Sequence, residues 1–256
     1  MMPRQIRSWP DNRTEKMKPT SHPAAAGGGD TCRRTAEVAM LSGLACLLAA
    51  GCSIKRMAVN KLGDALAGGG TTFAADDDPE LVKAAVPFSL KLMESLLNEN
   101  PNHRGLLQAA ASGFTQYGYA FVQQDADEIE SKDFAAAEAL RSRAKRLYLR
   151  ARNYGLRGLE VAHTGFRNQL AAAPREAVGV LGKRDVPQAY WAAAAWGAAI
   201  SLSKDDPARV AEIPQMEALI DRALELDESY GDGAIHGFLI NYEMSRPGVK
   251  GDAAER

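Results

Sequence analysis

The sequence predicts an all-α fold, an irregular stack of helical hairpins, and three observations carry that expectation. Apolar residues recur at three- and four-residue spacing over long stretches, which places them along one side of a helix. No run of Val, Ile and Thr alternates with polar residues as a half-buried strand would. Prolines and aspartates fall where helices begin, at Asp76 to Pro79, at Pro207 and at Pro214. With 256 residues and 46% hydrophobic content, the chain has enough apolar surface for a sizeable core.

Residues 1–30 are rich in Pro, Gly, Arg and Ser and lie upstream of any ordinary signal sequence, as an over-extended start would. Arg33 and Arg34 then precede thirteen uncharged residues, Val38 to Ala50, a length that suits the core of a signal peptide and is short for a permanent span. The run ends in Leu48-Ala-Ala-Gly-Cys52. Small residues directly before a cysteine resemble the bacterial lipobox, which implies cleavage after Gly51 and acylation of Cys52. Two or three acyl chains anchor stably where one is marginal. Lipoboxes favour leucine three positions before the cysteine, and here Ala49 stands there with Leu48 one further away. The competing reading is a buried amphipathic helix with an incidental cysteine. Ser53 in place of an aspartate resembles lipoproteins sorted to the outer membrane of a Gram-negative host, and the arginine pair alone is a weak sign of twin-arginine export. Residues 1–51 therefore read as leader and signal peptide. Cys32, Cys46 and Cys52 all lie in the first fifth of the chain, so disulfides do not hold the body together.

Residues 52–78 read as a tether: a weakly amphipathic stretch to Leu66, then Gly68, Gly69 and Gly70, which favour flexibility. The remainder, residues 79–256, reads as one α-helical domain. Asp76, Asp77 and Asp78 fan outward on a helix start and do not converge on one ion, so N-capping is their better account. Phe88, Leu92, Met93 and Leu96 form the next stripe, stopped at Asn100 and Pro101. From His103 to Gln123 a second helix turns Leu106, Leu107, Ala110, Phe114 and Tyr117 to one side, with Gly113 and Gly118 each lowering propensity by about 1 kcal/mol. Asp125 to Ser131 has the carboxylates of a calcium loop, yet Glu130 stands where the sharp turn needs glycine, so it reads as a solvated loop.

A long helix follows from Asp133 to about Leu159, with Leu140, Ala144, Leu147, Tyr148 and Ala151 inward. Six basic residues surround them, namely Arg141, Arg143, Lys145, Arg146, Arg150 and Arg152. Either an acidic partner meets them, or Glu138 and the nearby acidic loop do and the run is a wet helix face. Thr164 and Gly165 break the pattern, and short helices cover Phe166 to Ala172 and Arg175 to Leu181.

The stretch from Val186 to Tyr230 reads as two helices joined by a polar loop. Tyr190, Trp191, Ala194, Ala195, Ala198 and Ala199 share a face whose small residues admit a close neighbour. Met216, Ile220, Ala223 and Leu224 share a face of the second helix, which Pro214 opens. Gly231 to Glu243 supplies a further helix with Ile235, Phe238, Leu239 and Tyr242, ended by Pro247 and Gly248; residues 251–256 look like the first turn of a helix left incomplete.

A bulky residue followed by a buried alanine, ending in Ala223-Leu-Glu-Leu-Asp227, resembles the closing helix of a tetratricopeptide repeat, as does the closing Asn100-Pro101. Such hairpins stack because none buries its apolar face alone. The closures at Leu96, Ala151 and Ala223 are 55 and 72 residues apart, against about 34 in the regular repeat, so the fold expected is an irregular tetratricopeptide-like solenoid with inserted short helices.

Formal charge is −1 overall; residues 1–51 carry seven Lys+Arg against four Asp+Glu and the rest 24 against 28. A mildly acidic body excludes a nucleic-acid binder of the usual basic kind. His103, His163 and His236 are 60 and 73 residues apart in no ligand motif, and no phosphate loop, HExxH or Gly-x-Ser-x-Gly occurs. The sequence thus offers no catalytic constellation, no metal site and no cofactor fingerprint.

The lipobox, the irregular hairpins, and the segments AYWAAAAWGAAISLSKDDP and ALIDRALELDESYGDGAIHGFLI together resemble the T-component (TatT) family of tripartite ATP-independent periplasmic (TRAP) transporters. The resemblance covers about Cys52 to Arg256. It implies a periplasm-facing lipoprotein without enzymatic chemistry. Such a protein associates with the substrate-binding P-component, forms a homotrimer, and carries a cleft or channel of ligand size. It also implies one more helical section than the chain supplies. On the residues, the groove wall falls to Tyr190, Trp191 and Trp196 and its polar rim to Lys204, Asp205 and Asp206, with plain core packing the competing account of the aromatics. A second class of function is an envelope scaffold or assembly lipoprotein of the tetratricopeptide type.

Overall fold

Helix-favouring residues and well-placed caps dominate the body of the chain, and the computed structural model describes Met57, residues 59–68 and residues 75–245, with helices joined by turns and short loops. The chain divides into Met1–Gly51, all outside the described residues, and Cys52–Arg256, to which everything below refers. The expectations for Cys32, Cys46, Cys52, the glycines at 69 and 70, and the closing Pro247 and Gly248 also lie outside the described residues. No described residue belongs to a strand, and no described helix is long and apolar enough to cross a membrane.

The main helices are α1 (Pro79–Glu99), α2 (Arg104–Tyr117), α3 (Gln124–Ile129), α4 (Phe134–Ala162) and α5 (Phe166–Ala172), followed by α6 (Pro174–Ala177), α7 (Val186–Ser201), α8 (Pro207–Val210), α9 (Ile213–Leu226) and α10 (Ala234–Ser245). A wider π-helical turn, Gly118–Gln123, joins α2 to α3. Their starts follow from local chemistry. The first amides of a helix lack intrahelical acceptors, and side chains supply them: Asp78 for Leu81 N at 3.0 Å, His103 Nδ1 for Leu106 N at 3.2 Å, Asp133 for Ala136 N at 2.9 Å, and Asp206 for Ala208 N at 3.0 Å. Gly165, at φ +83°, lets α4 end and α5 begin within three residues, a left-handed geometry that costs glycine little.

Two apolar clusters share α4 and α7. One joins Leu90, Met93 and Leu97 of α1, Leu106, Leu107, Ala110 and Phe114 of α2, Tyr148 and Ala151 of α4, and Ala195 and Ala199 of α7. The other joins Leu156 and Leu159 of α4 with Phe166, Leu170, Ala192, Trp196, Ile200, Met216, Leu219, Ile220 and Ile235. The pairing of α4 with α7 is the most extensive in the fold. It is also very close: a Cβ on Gly155 would lie 2.7 Å from Ala192 Cβ and 2.9 Å from its Cα, and one on Gly158 would strike the Gln188 side chain.

Two expectations are corrected. Phe88 is 73% exposed, and α1 instead buries Val82, Leu90, Met93, Leu96 and Leu97, because α2 packs on that side. Asp125–Ile129 is helical, not a solvated loop, and its charges are met by Lys83 on Asp125 at 2.9 Å and Arg141 on Asp127 at 3.0 Å. The expected small-residue face of α7 does pack closely, Ala195 and Ala199 entering the first cluster, and Ala192 adds a further close approach to Gly155 of α4. In the stretch expected as tether, residues 59–68 form a helix whose Val59 and Leu66 pack against the first cluster, with Asn60 Oδ1 accepting from Asn100 Nδ2 at 2.7 Å.

Candidate functional site

Every third or fourth residue along one side of α7 is small: Ala194, Gly197, Ala198 and Ser201. A helix face without bulk leaves a gap unless a neighbour fills it, and here a cavity of about 650 Å³ opens over that face. Sites for small organic ligands span about 300–1,000 Å³. Tyr190 and Trp191 form one end, their rings in a T-shaped contact at 5.0 Å, with Tyr230 a further 5.3 Å from Tyr190. Across from α7, helix α10 contributes Ala234, Gly237, Phe238, Asn241 and Tyr242, and the Phe238 and Tyr242 rings stack at 5.7 Å with planes 7° apart. The remaining wall comes from Thr115 and Gln116 of α2, Tyr119 and Gln123 of the π-helical turn, and Tyr148 of α4. Steps of four bring Thr115, Tyr119 and Gln123 to the same side of that continuous helix.

The polar atoms are anchored. The Tyr148 hydroxyl donates to Gln123 Oε1 at 2.7 Å, the Tyr242 hydroxyl to Glu217 Oε1 at 2.8 Å, and the Thr115 and Ser201 hydroxyls to backbone carbonyls of their own helices. Burial pushes the Tyr148 and Tyr190 phenols up from their ordinary range, so both stay neutral. Among the described residues no Asp, Glu, Lys, Arg or His lines the cavity. Such a wall holds a molecule by contact, stacking and neutral hydrogen bonds; it supplies neither a nucleophile and base nor a charge to polarise a reacting bond.

Of the residues the sequence nominated, Tyr190 and Trp191 line this cavity and the others do not. Trp196 is 6% exposed and belongs to the core: its indole N–H donates to Glu212 at 2.7 Å and the Arg152 guanidinium lies 4.9 Å above its ring. Five residues beyond Trp191, it points away from the cavity because a helix turns by about 500° over that interval. Lys204 and Asp205 are exposed in the loop after α7, and Asp206 is occupied in capping α8. The rim predicted from them is absent from the cavity's lining. Cys52 lies outside the described residues. Gln123, Tyr148, Phe238 and Tyr242 were not singled out as site residues. The one sequence sign of that wall was Gly118, an unfavourable residue in a helix, which lies against the Tyr148 ring and opens the π-helical turn.

Three of the basic residues of α4 find acidic partners within the chain. Arg141 meets Asp127, Glu130 and Glu138 at 3.0, 2.8 and 3.0 Å, Arg150 meets Glu94 at 2.7 Å, and Arg152 meets Glu212 at 3.0 Å. His103, which caps α2, and His163 are likewise structural in their contacts. Asp185, 6% exposed, accepts from Arg104 at 2.7 Å, His163 Nε2 at 3.0 Å and Gly182 N at 3.0 Å, and so ties the start of α2, the end of α4 and the start of α7. Burial alone would raise the Asp185 carboxyl, but these donors hold it below the usual carboxylate range. Among the described residues no group of three or more His, Cys, Asp or Glu is placed to hold a metal ion.

Comparison with known proteins adds two findings. A family model described as TRAP transporter T-component matches residues 75–256. A relative named only as an uncharacterized protein, from Treponema pallidum (strain Nichols), is 31% identical over 229 residues, an alignment covering 82% of this chain and 71% of the relative.

Proposed function

This chain belongs to the TRAP transporter T-component family, and from that premise we propose that it is a periplasm-facing lipoprotein, acylated at Cys52, that binds the substrate-binding P-component of a TRAP transporter and takes a small ligand into the cavity beside α7. Its accessory role follows from family membership. The ligand half of the reading is supported by one observation above all, the aromatic-walled, uncharged cavity of about 650 Å³ between α2, α4, α7 and α10. Attachment to the outer membrane and assembly as a homotrimer complete the proposal.

Co-purification tests it. The tagged protein should retain a periplasmic solute-binding protein of the TRAP type, identified by mass spectrometry and then reproduced with the two purified partners. Retention of outer-membrane assembly factors in its place would move the protein to the class of envelope scaffolds.

A further inference from the structure

The cavity has a chemical character that narrows what it accepts. Its wall carries aromatic rings from several helices, is small along α7, and among the described residues is free of ionised side chains. A carboxylate or phosphate entering this partly open place, where Gln116, Tyr119, Gly237 and Asn241 are exposed, gives up part of its hydration and meets no cation in return, a loss that neutral groups largely avoid. The first turn of α10, which reaches the wall at Ala234, carries the partial positive charge of a helix start, yet Asp232 stands two residues before it with a full negative one. At the opposite wall Gln123 Oε1 is already taken by the Tyr148 hydroxyl, which leaves the Gln123 amide N–H₂ as a donor for an uncharged acceptor.

We infer that the cavity selects an uncharged, ring-bearing ligand, its flat ring held between the Tyr190–Trp191 pair and Phe238 and a neutral oxygen or amide turned toward Gln123, and that it rejects organic acids of the same shape. The inference rests on the ligand reading proposed above and adds the class of ligand. Rings suit the site because aromatic walls favour offset and edge-to-face contacts with a flat partner. The acid is excluded by the missing cation, not by size.

Calorimetric titration of the full chain carrying Cys52→Ser, purified without detergent, tests it with matched probes: 2-naphthamide against 2-naphthoate, and 1-decanol against decanoate. The expected result is 2-naphthamide binding at least tenfold tighter than 2-naphthoate. Gln116→Arg, a change at an exposed position on the cavity's edge, should narrow that gap at least threefold. Ala198→Leu, which fills the floor, should abolish the naphthamide signal. Equal or tighter binding of 2-naphthoate to the unmodified cavity overturns the inference, as does naphthamide binding that survives Ala198→Leu. Binding of decanol without naphthamide removes the ring from the inference while leaving the ligand reading intact. If none of the four probes binds, the ligand reading falls and the inference with it.

Discussion

Gly155→Ala tests the contact on which the two halves of the core depend. Gly155 lies where α4 crosses α7, and an added Cβ would come within 2.7 Å of Ala192 Cβ, 2.9 Å of its Cα and 3.1 Å of its N. Ordinary carbon contacts begin near 3.4 Å, and two of these three atoms are backbone of α7, which no rotamer change moves aside. Overpacking of this kind costs about 1–3 kcal/mol, and the immobile partner places this case in the upper part of that range. Replacing glycine by alanine inside a helix returns about 1 kcal/mol. The net expectation is a loss of about 1–2 kcal/mol, or roughly 3–6 °C in Tm for a domain of this size. Urea unfolding followed by circular dichroism at 222 nm measures it. Gly237→Ala is the control, since nothing lies within 4 Å of a Cβ built there and it too is helical; it should gain about 0.5–1 kcal/mol. Ala192→Gly in the Gly155→Ala background should show a favourable coupling energy in the double-mutant cycle. A Gly155→Ala protein as stable as the parent would refute the close packing of α4 on α7.

The other predictions concern charge, the tryptophans and the anchor. Asp185, held below the usual carboxylate range, contributes stability that is full above about pH 4 and is lost as pH falls through its lowered folded pKa. Asp185→Asn should therefore cost about 1–3 kcal/mol at pH 7 and progressively less as pH falls through the lowered folded pKa, read by denaturant titration over a series of acidic pH values. Trp196→Phe should lose about 1–2 kcal/mol through the Glu212 hydrogen bond and the Arg152 stack while leaving probe binding unchanged, and Trp191→Ala should do the reverse, weakening binding with little change in unfolding midpoint. Cys52→Ser should release the protein from the membrane fraction and abolish incorporation of radiolabelled fatty acid; retention at the membrane would remove the lipid anchor from the proposal.

The helix starts were legible because capping is a local transaction: Asp78, Asp133 and Asp206 satisfy amides two or three residues onward, and Pro207 and Pro214 sit in first turns that need no N–H. The all-α class followed for the same reason, from spacing and propensity alone. Which side of a helix is buried was legible only where one apolar stripe stood out. On α2 it did, and Leu106, Leu107, Ala110, Phe114 and Tyr117 are all buried. On α1 the stripe of Phe88, Leu92, Met93 and Leu96 was only partly right, and the arrival of α2 decided for Leu90 and Leu97 over Phe88.

The cavity belongs to the second kind of information. Tyr190 and Trp191 could be named from their own helix, but a cavity exists only between elements, and its other walls come from residues 115–123, Tyr148 and 234–242. Spacing within a helix says nothing of what stands across from it. Trp196 shows the same limit from the other direction. Its neighbours in sequence suggested a shared wall, and Glu212 and Arg152, brought from 16 residues after it and 44 before, claimed it for the core. Sequence by itself determined the all-α class, most of the helix starts and the family, because those depend on interactions within a few residues or on the chain's overall pattern. Only the tertiary structure decided which apolar side chains became core and which lined a cavity, because that depends on volume left unfilled between helices far apart in the chain.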